Sequence, residues 1–394
     1  MANIVICGYM IRHPVAGNLL AFFHYLLGFS KLGHQVVYLE ESGWPQSCYD
    51  PESQSYSDNP IPGIEVVKVL LSRFGVNAEV GFINRETGKT YGFAWDDIKQ
   101  VLTRADVLLN IGGVCWLPEF KLCQRRALID MDPFFTQVGK FATEGLDNYQ
   151  TLFSYGINIG EPSCSIPTNG RDWLPTVPPV VPDIWISQVA VPEDNIPFTT
   201  IANWNAYGSI TYEGKAYGQK REEFLQLHNL PKRTALPLEL ALSGVNSQER
   251  KQLKLAGWHI RDSHFSKDFD PYQAYITQSK GEFSVAKQAY VATRSGWFSD
   301  RSVCYLASGR PTVLQDTGFV DQFPLENGVL IFSTFDEAVE CLERVRHNYS
   351  LHCQAAREIA NQIFSYENVL PRLLHQALHS TYQHQGTILG GGLT

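Results

Sequence analysis

The chain lacks closely spaced cysteines, long apolar runs and a basic leader. Its 8 cysteines are scattered and no two form a C-x-x-C pair, which excludes a zinc ribbon or thioredoxin-type motif and favours free, buried thiols. The longest apolar stretch, residues 19–29, is interrupted by His24 and is too short to span a bilayer. No basic segment precedes the apolar residues 4–7. We therefore expect a cytoplasmic protein with no membrane span and no metal site.

An excess of positive charge is also absent. There are 32 Lys and Arg residues against 40 Asp and Glu residues, and the formal net charge is −8. Nucleic-acid-binding proteins generally present a basic face, so this balance predicts no nucleic-acid partner. The hydrophobic share of 44% and the charged share of 18% are typical of a folded globular protein.

Short apolar runs alternate with helical patterns along both halves of the chain. Residues 3–8 form an apolar run that ends at a glycine, a helical segment extends from Asn18 to Gly33, and a second apolar run covers residues 35–40. Strand, helix and strand with short connections make a βαβ unit, which predicts a parallel sheet. Further strand candidates are residues 106–111, 127–131, 152–157, 199–203, 236–243, 258–261, 311–315 and 330–332.

A proline-rich stretch separates the two series of strands. Residues 161–182 contain six prolines, which rule out a helix or a central strand and predict a connector over the surface. A chain of 394 residues is expected to form two domains. The predicted fold class is therefore α/β, with two Rossmann-like, doubly wound parallel-sheet domains that face a cleft. We expect domains at residues 1–183 and 184–365, followed by a C-terminal helix and flexible tail at residues 366–394.

Residues 282–319 carry the pattern most typical of a binding site. A strand candidate is followed by a loop rich in Ser, Gly and Trp, a short helix that ends at Gly309 and a second apolar strand. Ser299 suits a helix N-cap, and the amides and dipole of a helix start attract phosphate. A loop and helix of this kind at the carboxyl edge of a parallel sheet is where α/β proteins bind nucleotides. The segment therefore predicts a nucleotide-sugar site.

The same segment resembles a known family. Residues 296–299 (Gly-Trp-Phe-Ser), 306–311 (Leu-Ala-Ser-Gly-Arg-Pro), 316–318 (Asp-Thr-Gly) and 321–322 (Asp-Gln) are similar to the donor-binding stretch of the GT-B glycosyltransferases. The resemblance implies two Rossmann-like domains, with a nucleotide-sugar donor held mainly by the second and an acceptor held mainly by the first. It also implies catalysis without a metal and no cofactor beyond the donor itself, for which UDP is the nucleotide expected first.

Two positions depart from the best-known patterns of that family. The second glutamate of the Glu-x7-Glu pair of many retaining enzymes is replaced by Cys304. The histidine that opens the plant-type donor motif is missing from residues 293–295. The stereochemical outcome and the identity of the donor therefore stay open at this point.

The donor-binding residues predicted from these patterns are Lys220, Glu282, Lys287, Gly296, Trp297, Phe298, Ser299, Asp300, Arg301, Asp316, Thr317 and Gly318. Lys287, Arg301 and the amides from Ser299 onward suit a diphosphate, because fixed positive charge stabilises a departing anion without proton transfer. Lys220 opens another predicted helix and is expected to approach the same phosphates.

Other predicted donor contacts have plainer interpretations that stay open. The carboxylates of Glu282 and Asp300 suit sugar hydroxyls, but each is equally consistent with a surface acid. Ser299 is also a simple helix cap, Trp297 is also a core residue, and residues 316–318 are also a turn.

The first half of the chain offers two candidate catalytic residues. His13 lies in the loop after the first strand, and its near-neutral ordinary pKa suits a general base; an idle loop histidine is the alternative. Asp132 follows the strand candidate at residues 127–131 and is a rival base or an orienting partner. Gly17 and Asn18 begin a helix and are predicted to face the donor phosphates from this half.

The sequence thus predicts a glycosyltransferase, a hexosyl or related transferase, that moves a sugar from a nucleotide sugar to a small-molecule or glycan acceptor. One alternative is a sugar-nucleotide epimerase or hydrolase of the same fold. Another is a non-catalytic protein that binds a nucleotide or glycan, which the retained charges of Lys287, Asp300 and Arg301 argue against.

Overall fold

The computed structural model describes residues 1–139, 145–186, 195–204 and 208–380. It contains two large, mainly parallel β-sheets, one built from the first half of the chain and one from the second. Helices follow the strands in both halves, so the predicted pair of doubly wound α/β units is confirmed.

The first half forms an eight-stranded sheet and a small hairpin. Its strands are, in chain order, β1 (Asn3–Cys7), β2 (Gln35–Ser42), β3 (Cys48–Asp50), β4 (Ser55–Ser57), β5 (Ala78–Asn84), β6 (Lys89–Tyr91), β7 (Val107–Ile111), β8 (Arg126–Asp130), β9 (Thr151–Ser154) and β10 (Trp173–Pro175). The sheet order is β10-β9-β8-β7-β1-β2-β5-β6, and only β6 is antiparallel to its neighbour. β3 and β4 pair with each other as the hairpin.

The second half forms a six-stranded, fully parallel sheet and another hairpin. Its strands are β11 (Phe198–Asn203), β12 (Ile210–Tyr212), β13 (Lys215–Tyr217), β14 (Leu238–Ser243), β15 (His259–Asp262), β16 (Gly281–Ser284), β17 (Thr312–Gln315) and β18 (Val329–Phe332). The sheet order is β15-β14-β11-β16-β17-β18. The order reverses between β11 and β16, and such a switch point opens a crevice at the carboxyl ends of the strands.

The α-helices connect and cover these strands. They are α1 (Ala16–Lys31), α2 (Ile61–Arg73), α3 (Trp95–Arg104), α4 (Phe135–Val138), α5 (Lys220–Gln226), α6 (Ser247–Leu255), α7 (Phe269–Gln278), α8 (Gln288–Ala292), α9 (Asp300–Ala307), α10 (Phe335–His347), α11 (Tyr349–Ile359) and α12 (Tyr366–His379). Turns of 3-10 helix occupy Pro118–Leu122, Leu146–Asn148, Pro182–Trp185, Leu230–Lys232, Ser263–Lys267 and Phe319–Asp321, and a π-helical turn at Ala360–Phe364 precedes α12.

α1 lies at the centre of the contact between the halves. Twelve of its 16 residues are buried, because it contacts its own sheet as well as α7, α9 and α12. Gly28 permits the contact with α12: a Cβ atom at this position would lie 2.5 Å from Cδ1 of Leu370. α12, the last helix described, therefore returns to the first half of the chain.

The proline-rich connector is only partly on the surface. Most of residues 161–175 are exposed or half-buried, as expected, whereas residues 176–181 are buried, and Val180 and Val181 are both fully buried. The amide of Val180 donates to the carbonyl of Phe364 at 2.7 Å, and the amide of Tyr366 donates to the carbonyl of Val180 at 2.8 Å. The two passages of the chain between the halves thus run side by side, and each satisfies backbone groups of the other.

The two sheets lie on either side of the expected boundary near residue 183, although the exact domain limits stay a prediction. The expected flexible tail lies, from residue 381 onward, outside the described residues. Within the described residues, no helix combines the length and apolar character needed to cross a bilayer. The cytoplasmic location stays a prediction.

Candidate functional site

Three predicted donor residues meet at the switch point of the second sheet. Lys220 begins α5, Lys287 precedes α8, and Arg301 lies in the first turn of α9. The positive charges of Arg301 and Lys287 both act on the ammonium of Lys220, which places the three close together. We call Lys220, Lys287 and Arg301 the cationic cluster.

Arg301 is anchored to strand β16. Its Nε atom donates to Glu282 Oε1 at 2.8 Å, and its Nη2 atom donates to Ser284 Oγ at 3.0 Å. Burial is the largest single effect and lowers the pKa of Arg301, but the charge and hydrogen bond of Glu282 together with nearby Tyr272 and Tyr305 raise it, and the net shift is upward. The Glu282 side chain is 0% exposed. Glu282 therefore positions Arg301, and its contact with sugar hydroxyls stays a prediction.

Lys220 lies beside these charges, with its ammonium nitrogen 5.9 Å from the ring centre of Trp297. Burial, followed by the positive charge of Arg301, lowers the pKa of Lys220 to about 7. Within the described residues, its amine has no hydrogen-bond or ion-pair partner. A bound anion would favour the charged ammonium form, because opposite charge stabilises it.

The start of α9 faces a small cavity at the same edge of the sheet. Ser299 Oγ accepts the amide of Arg301 at 3.2 Å, and Asp300 Oδ1 accepts the same amide at 2.9 Å. Ser302 is fully buried and lines the cavity with Ser284 and Ser299. Its hydroxyl has no hydrogen-bond partner in the described part of the chain. Serine hydroxyls and a helix N-terminus thus face one space, which suits an anion.

Asp300 occupies the first position of α9, and burial raises the pKa of its carboxyl group. The charge of Arg301 opposes that shift. Its contact with sugar hydroxyls stays a prediction.

The N-terminus of α1 approaches this region from the first half. A Cβ atom at Gly17 would lie 3.5 Å from the phenolic oxygen of Tyr272 on α7. Burial raises the pKa of Tyr272, and the nearby charge of Arg301 opposes the shift. Gly17 therefore lies against α7 of the second half, and its position beside the donor phosphates stays a prediction.

His13 lies in the loop after β1, between two tyrosine rings. The ring centroids of Tyr9 and Tyr49 are 6.0 and 5.1 Å from that of His13. Burial lowers the pKa of His13, so the imidazole is neutral at pH 7. Asn18 closes the loop by donating to the carbonyl oxygens of Tyr9 and His13 at 2.5 and 2.8 Å. Its side-chain amide is thus committed to the loop, and a phosphate contact through it stays a prediction.

Asp132, at the end of β8 in the first half, is bound by the second half. The ammonium of Lys287 lies 2.6 and 2.8 Å from its two carboxylate oxygens, and the Tyr290 hydroxyl also donates to Asp132 Oδ1. The Asp132 side chain is 37% exposed. Sequence reasoning missed Tyr290. Lys287 is the N-cap of α8 and Tyr290 follows it by three residues, a spacing that brings both side chains to one side of the helix start and was the available signal.

Asp130 fixes the loop that carries Asp132. Its buried carboxylate accepts four hydrogen bonds, at 2.6 to 2.9 Å, from Asp132 N, Thr136 Oγ1, Gln137 Nε2 and Ser154 Oγ. Burial raises the pKa of Asp130, and these hydrogen bonds oppose the shift. The candidate base is therefore held on a rigid turn.

Gly296 and Gly318 lie at a contact between the halves. Their φ angles are 73° and 84°, and a Cβ atom on either would lie 2.8 Å from the side chain of Asn158. Asn158 donates to the carbonyl oxygens of Arg294 and Gly318 at 3.1 and 2.9 Å. Both glycines therefore make room for a side chain of the first half. Their contact with a donor stays a prediction.

Trp297 also joins the halves. Its indole nitrogen donates to the carbonyl oxygen of Met131 at 3.2 Å, and its ring centroid is 4.7 Å from that of Tyr290. It forms part of the cavity wall beside α9. Phe298 lines the same cavity and is buried against Phe364, with ring centroids 4.7 Å apart. Its contact with a donor stays a prediction.

Asp316 and Thr317 hold a turn after β17. Asp316 Oδ1 accepts the amide of Gly318 at 2.7 Å, and its Oδ2 lies 3.3 Å from Arg294 Nη1. The Thr317 hydroxyl donates to the carbonyl of Trp297 at 2.7 Å. Local partners thus occupy both side chains, and the turn interpretation accounts for this geometry.

Cys304 occupies the position at which many retaining GT-B enzymes carry a glutamate. Cys304 is buried in α9, and its thiol donates to the carbonyl of Asp300 at 3.2 Å. All eight cysteines are free thiols. Among the described residues, no group of three or more His, Cys, Asp or Glu side chains is arranged to hold a metal ion.

Comparison with known proteins gives matches in fold but not in sequence. No family model and no curated protein matches the sequence. An α-glucosyltransferase in complex with UDP-glucose and DNA containing an abasic site aligns with a TM-score of 0.59 and 11% identity, over 95% of this chain and 98% of that chain. HepE from Anabaena, in complex with UDP and glucose, aligns with a TM-score of 0.57 and 8% identity, over 95% and 99%. Sucrose-phosphate synthase from Thermosynechococcus elongatus aligns with a TM-score of 0.52 and 10% identity, over 97% and 100%.

These structures correct the prediction that the protein has no nucleic-acid partner. A second complex of an α-glucosyltransferase contains UDP and a 13-mer DNA with an HMU base, and it aligns with a TM-score of 0.58 and 11% identity. A protein of this fold therefore binds DNA. The prediction is wrong because it rested on the net charge of the whole chain, whereas binding depends on the charge of one surface.

Both sheets have the doubly wound order, and the first and second halves meet around α1 and the cationic cluster. The alignments cover nearly the whole length of each compared protein. The chain has the GT-B fold.

Proposed function

We propose that this protein is a glycosyltransferase that takes a sugar from a nucleoside-diphosphate sugar and transfers it to an acceptor hydroxyl. The observation that carries the proposal is the cationic cluster at the switch point of the second sheet. Open α/β sheets bind ligands at such a point, and three cations beside a helix start suit a diphosphate. The fold shared with UDP-binding glycosyltransferases supports the same assignment.

The electrostatics of Lys220 favour an anionic ligand. Its pKa of about 7 reflects burial and two neighbouring cations, so the free site disfavours full protonation. A diphosphate would add negative charge beside Lys220, and the departing nucleotide would be stabilised by charges that are already in place. Arg301, held by Glu282 at 2.8 Å, needs no rearrangement to take part.

Asp132 is the better candidate for the base in this proposal. It contacts the cationic cluster through Lys287, so it lies where donor and acceptor would meet. In the described contacts, His13 instead stacks between Tyr9 and Tyr49. We therefore assign proton abstraction from the acceptor hydroxyl to Asp132.

UDP-glucose is the first donor to test, because similar folds contain UDP or UDP-glucose. Binding is measured by calorimetry for the native protein and for Lys220→Met, which removes the charge but keeps the apolar stem. Lys251→Met, a change at an exposed lysine of α6, is the matched control. We expect the native protein and the control to bind alike, and Lys220→Met to lose roughly tenfold in affinity, about 1.4 kcal/mol.

Two results would remove this proposal. One is the absence of a thermal shift with UDP-, GDP-, dTDP-, CDP- and ADP-sugars, since a ligand at 100 times its Kd adds about 2.7 kcal/mol of stability. The other is equal affinity of native protein and Lys220→Met for the nucleotide that does bind. Analysis of the product distinguishes the epimerase or hydrolase alternative from a glycosyltransferase. An epimerase or hydrolase would yield an altered or free sugar rather than a glycoside.

A further inference from the structure

A second cavity lies at the carboxyl edge of the first sheet, beside Asp132. Its empty volume is about 810 Å³, and it is open to solvent on one side. The lining comes from the loops after β7 and β8 and, across the cleft, from Ile210 of the β12–β13 hairpin. Nothing in the donor site accounts for this space, and it adjoins the carboxylate proposed as the base.

The walls of this cavity are mostly apolar. Trp116 and Phe135 contribute aromatic rings, and Leu128 and Ile210 contribute aliphatic surface. Trp116 is fixed from behind, because its ring packs edge-on against Tyr149 at 5.9 Å. A rigid aromatic wall of this kind suits a flat ligand that stacks on it. We call this space the Trp116 pocket.

The described polar side chains of the Trp116 pocket are few, and only one is charged. Thr136 donates its hydroxyl to Asp130 at 2.6 Å, and this bond turns it away from a ligand. Asp132 is the one charged side chain among the described lining residues. The described lining therefore combines the carboxylate of Asp132 with extensive apolar surface.

We propose that the Trp116 pocket binds the acceptor as a flat, largely apolar ring that carries one reacting hydroxyl, with that hydroxyl at Asp132. The inference rests on the proposed glycosyltransferase function and specifies its acceptor. A sugar acceptor carries several hydroxyls, and apolar walls would leave them without hydrogen-bond partners, which disfavours binding. A ring with one hydroxyl leaves no such group unpaired.

The proposed sugar transfer accounts for every bond formed and broken and for the proton of the acceptor hydroxyl. The acceptor oxygen forms a bond to the anomeric carbon of the sugar, and the bond from that carbon to the diphosphate oxygen breaks. The hydroxyl proton passes to Asp132, and the bonding electron pair leaves with the nucleoside diphosphate, whose charge is met by the cationic cluster.

A free aromatic alcohol or phenol has this acceptor chemistry. A hydroxymethylated base in DNA also presents a planar ring with a hydroxyl, but its ring carbonyl and N–H groups would stay unpaired against apolar walls. The experiment therefore includes the base as the competing acceptor.

The test uses Ile210→Trp, which fills the pocket from the half-buried hairpin. Thr211→Trp, at an exposed position of the same hairpin, is the matched control. The full chain is incubated with UDP-glucose and, separately, with 2-naphthol, benzyl alcohol, 13-mer DNA containing 5-hydroxymethyluracil, and maltose. We expect a glycoside of a free ring alcohol and none of maltose. Ile210→Trp should raise the acceptor KM at least about tenfold, the scale of crowding by a few methylenes, whereas Thr211→Trp should keep the native KM within about threefold. UDP-glucose affinity should be unchanged in both variants.

The outcomes separate this inference from the proposed function. If UDP-glucose and the other sugar nucleotides fail to bind, the proposed function fails. If a sugar nucleotide binds but only maltose or only the DNA is glycosylated, or if Ile210→Trp leaves the KM of every ring acceptor unchanged, the acceptor inference is overturned. Transfer to the free ring alcohols supports it.

Discussion

The ammonium of Lys287 lies 2.6 and 2.8 Å from the two carboxylate oxygens of Asp132. This ion pair joins the cationic cluster of the second half to the candidate base of the first half. Tyr290 adds a hydrogen bond to the same carboxylate. A diphosphate that binds the cluster therefore competes with Asp132 for Lys287, and donor and acceptor chemistry share one side chain.

Tyr290→Phe tests whether this arrangement positions the base. We expect kcat to fall roughly tenfold with an unchanged affinity for UDP-glucose, because the lost bond to a charged acceptor is worth about 1.5–3 kcal/mol. Steady-state kinetics and calorimetry measure the two quantities. Tyr56→Phe, at a tyrosine that is 53% exposed, is the control and should match the native protein. A loss of nucleotide affinity with unchanged kcat would show that Tyr290 acts on the donor side instead.

Asp132→Asn and His13→Gln distinguish the two predicted bases. We expect Asp132→Asn to lower kcat at least about 100-fold, the usual contribution of a general base, and His13→Gln to lower it less than tenfold. His13→Gln should bind UDP-glucose like the native protein, and Asp132→Asn should bind it no more weakly, because the loss of the carboxylate releases Lys287 for the diphosphate. A severe loss of turnover for His13→Gln alone would move the base to the loop after β1.

The titration of Lys220 predicts how donor affinity depends on pH. The pKa of Lys220 is about 7 in the free protein, and a bound diphosphate raises it. Below pH 7 the amine is charged in both states, so affinity is constant. Above pH 7 binding requires proton uptake, so affinity should fall about tenfold per pH unit until the pKa of the bound state is reached.

Calorimetry with UDP-glucose from pH 6 to 9 measures this slope, since its diphosphate does not titrate in that range. Lys220→Met should give a flat profile. A native profile that is equally flat would contradict the assignment of Lys220 to the diphosphate.

Glu282→Gln tests the buried pair that holds Arg301. Glu282 is 0% exposed and Arg301 is 14% exposed, so loss of the carboxylate leaves a nearly buried cation without its counter-charge. We expect the free energy of unfolding to fall by about 3–5 kcal/mol in urea denaturation. The double variant Glu282→Gln/Arg301→Met should recover much of this loss.

The matched control for that experiment is Glu343→Gln. Glu343 pairs with Arg346 at 2.7 Å, but the two side chains are 30% and 42% exposed. Its loss should cost less than about 1 kcal/mol. Similar losses at Glu282 and Glu343 would mean that burial does not determine the strength of these pairs.

Gly28→Ala tests the close approach of α1 and α12. The new methyl group would lie 2.5 Å from Leu370 Cδ1, and overpacking of this kind costs about 1–3 kcal/mol. The gain in helix propensity offsets about 1 kcal/mol of it. We expect a net loss of stability by thermal denaturation. In the Leu370→Ala background Gly28→Ala should cost less than it does in the native protein, because the contact with Leu370 is then absent and only the contact with Tyr366 Cβ, at 2.9 Å, is left.

The strand pattern and the overall fold could be predicted because parallel strands buried on both faces read as short apolar runs. The runs at residues 3–8, 35–40 and 199–203 became β1, β2 and β11. The burial of Val180 could not be predicted, because it depends on pairing with Phe364 and Tyr366, which are distant in sequence. Proline content describes local conformation and says nothing about a partner far along the chain.

The candidate site could be predicted only in part, because its contacts also join residues that are distant in sequence. Arg301 stands next to a recognisable helix start at Ser299, so the sequence singled it out, together with Lys287, as a donor-binding candidate. The local pattern gave no indication that Asp132 would pair with Lys287, since the partners are 155 residues apart. The two glycines after β7 that border the Trp116 pocket, Gly112 and Gly113, were a usable signal, because paired glycines after a buried strand indicate a close approach of another molecule or chain.

The paired backbone bonds of Val180 have a mechanical consequence. The two segments that connect the sheets are hydrogen-bonded to each other at 2.7 and 2.8 Å. They therefore form one joint between the halves, centred on Val180. A protease that cleaves one of the two segments leaves the halves connected by the other. Any opening of the cleft must bend both segments together at Val180.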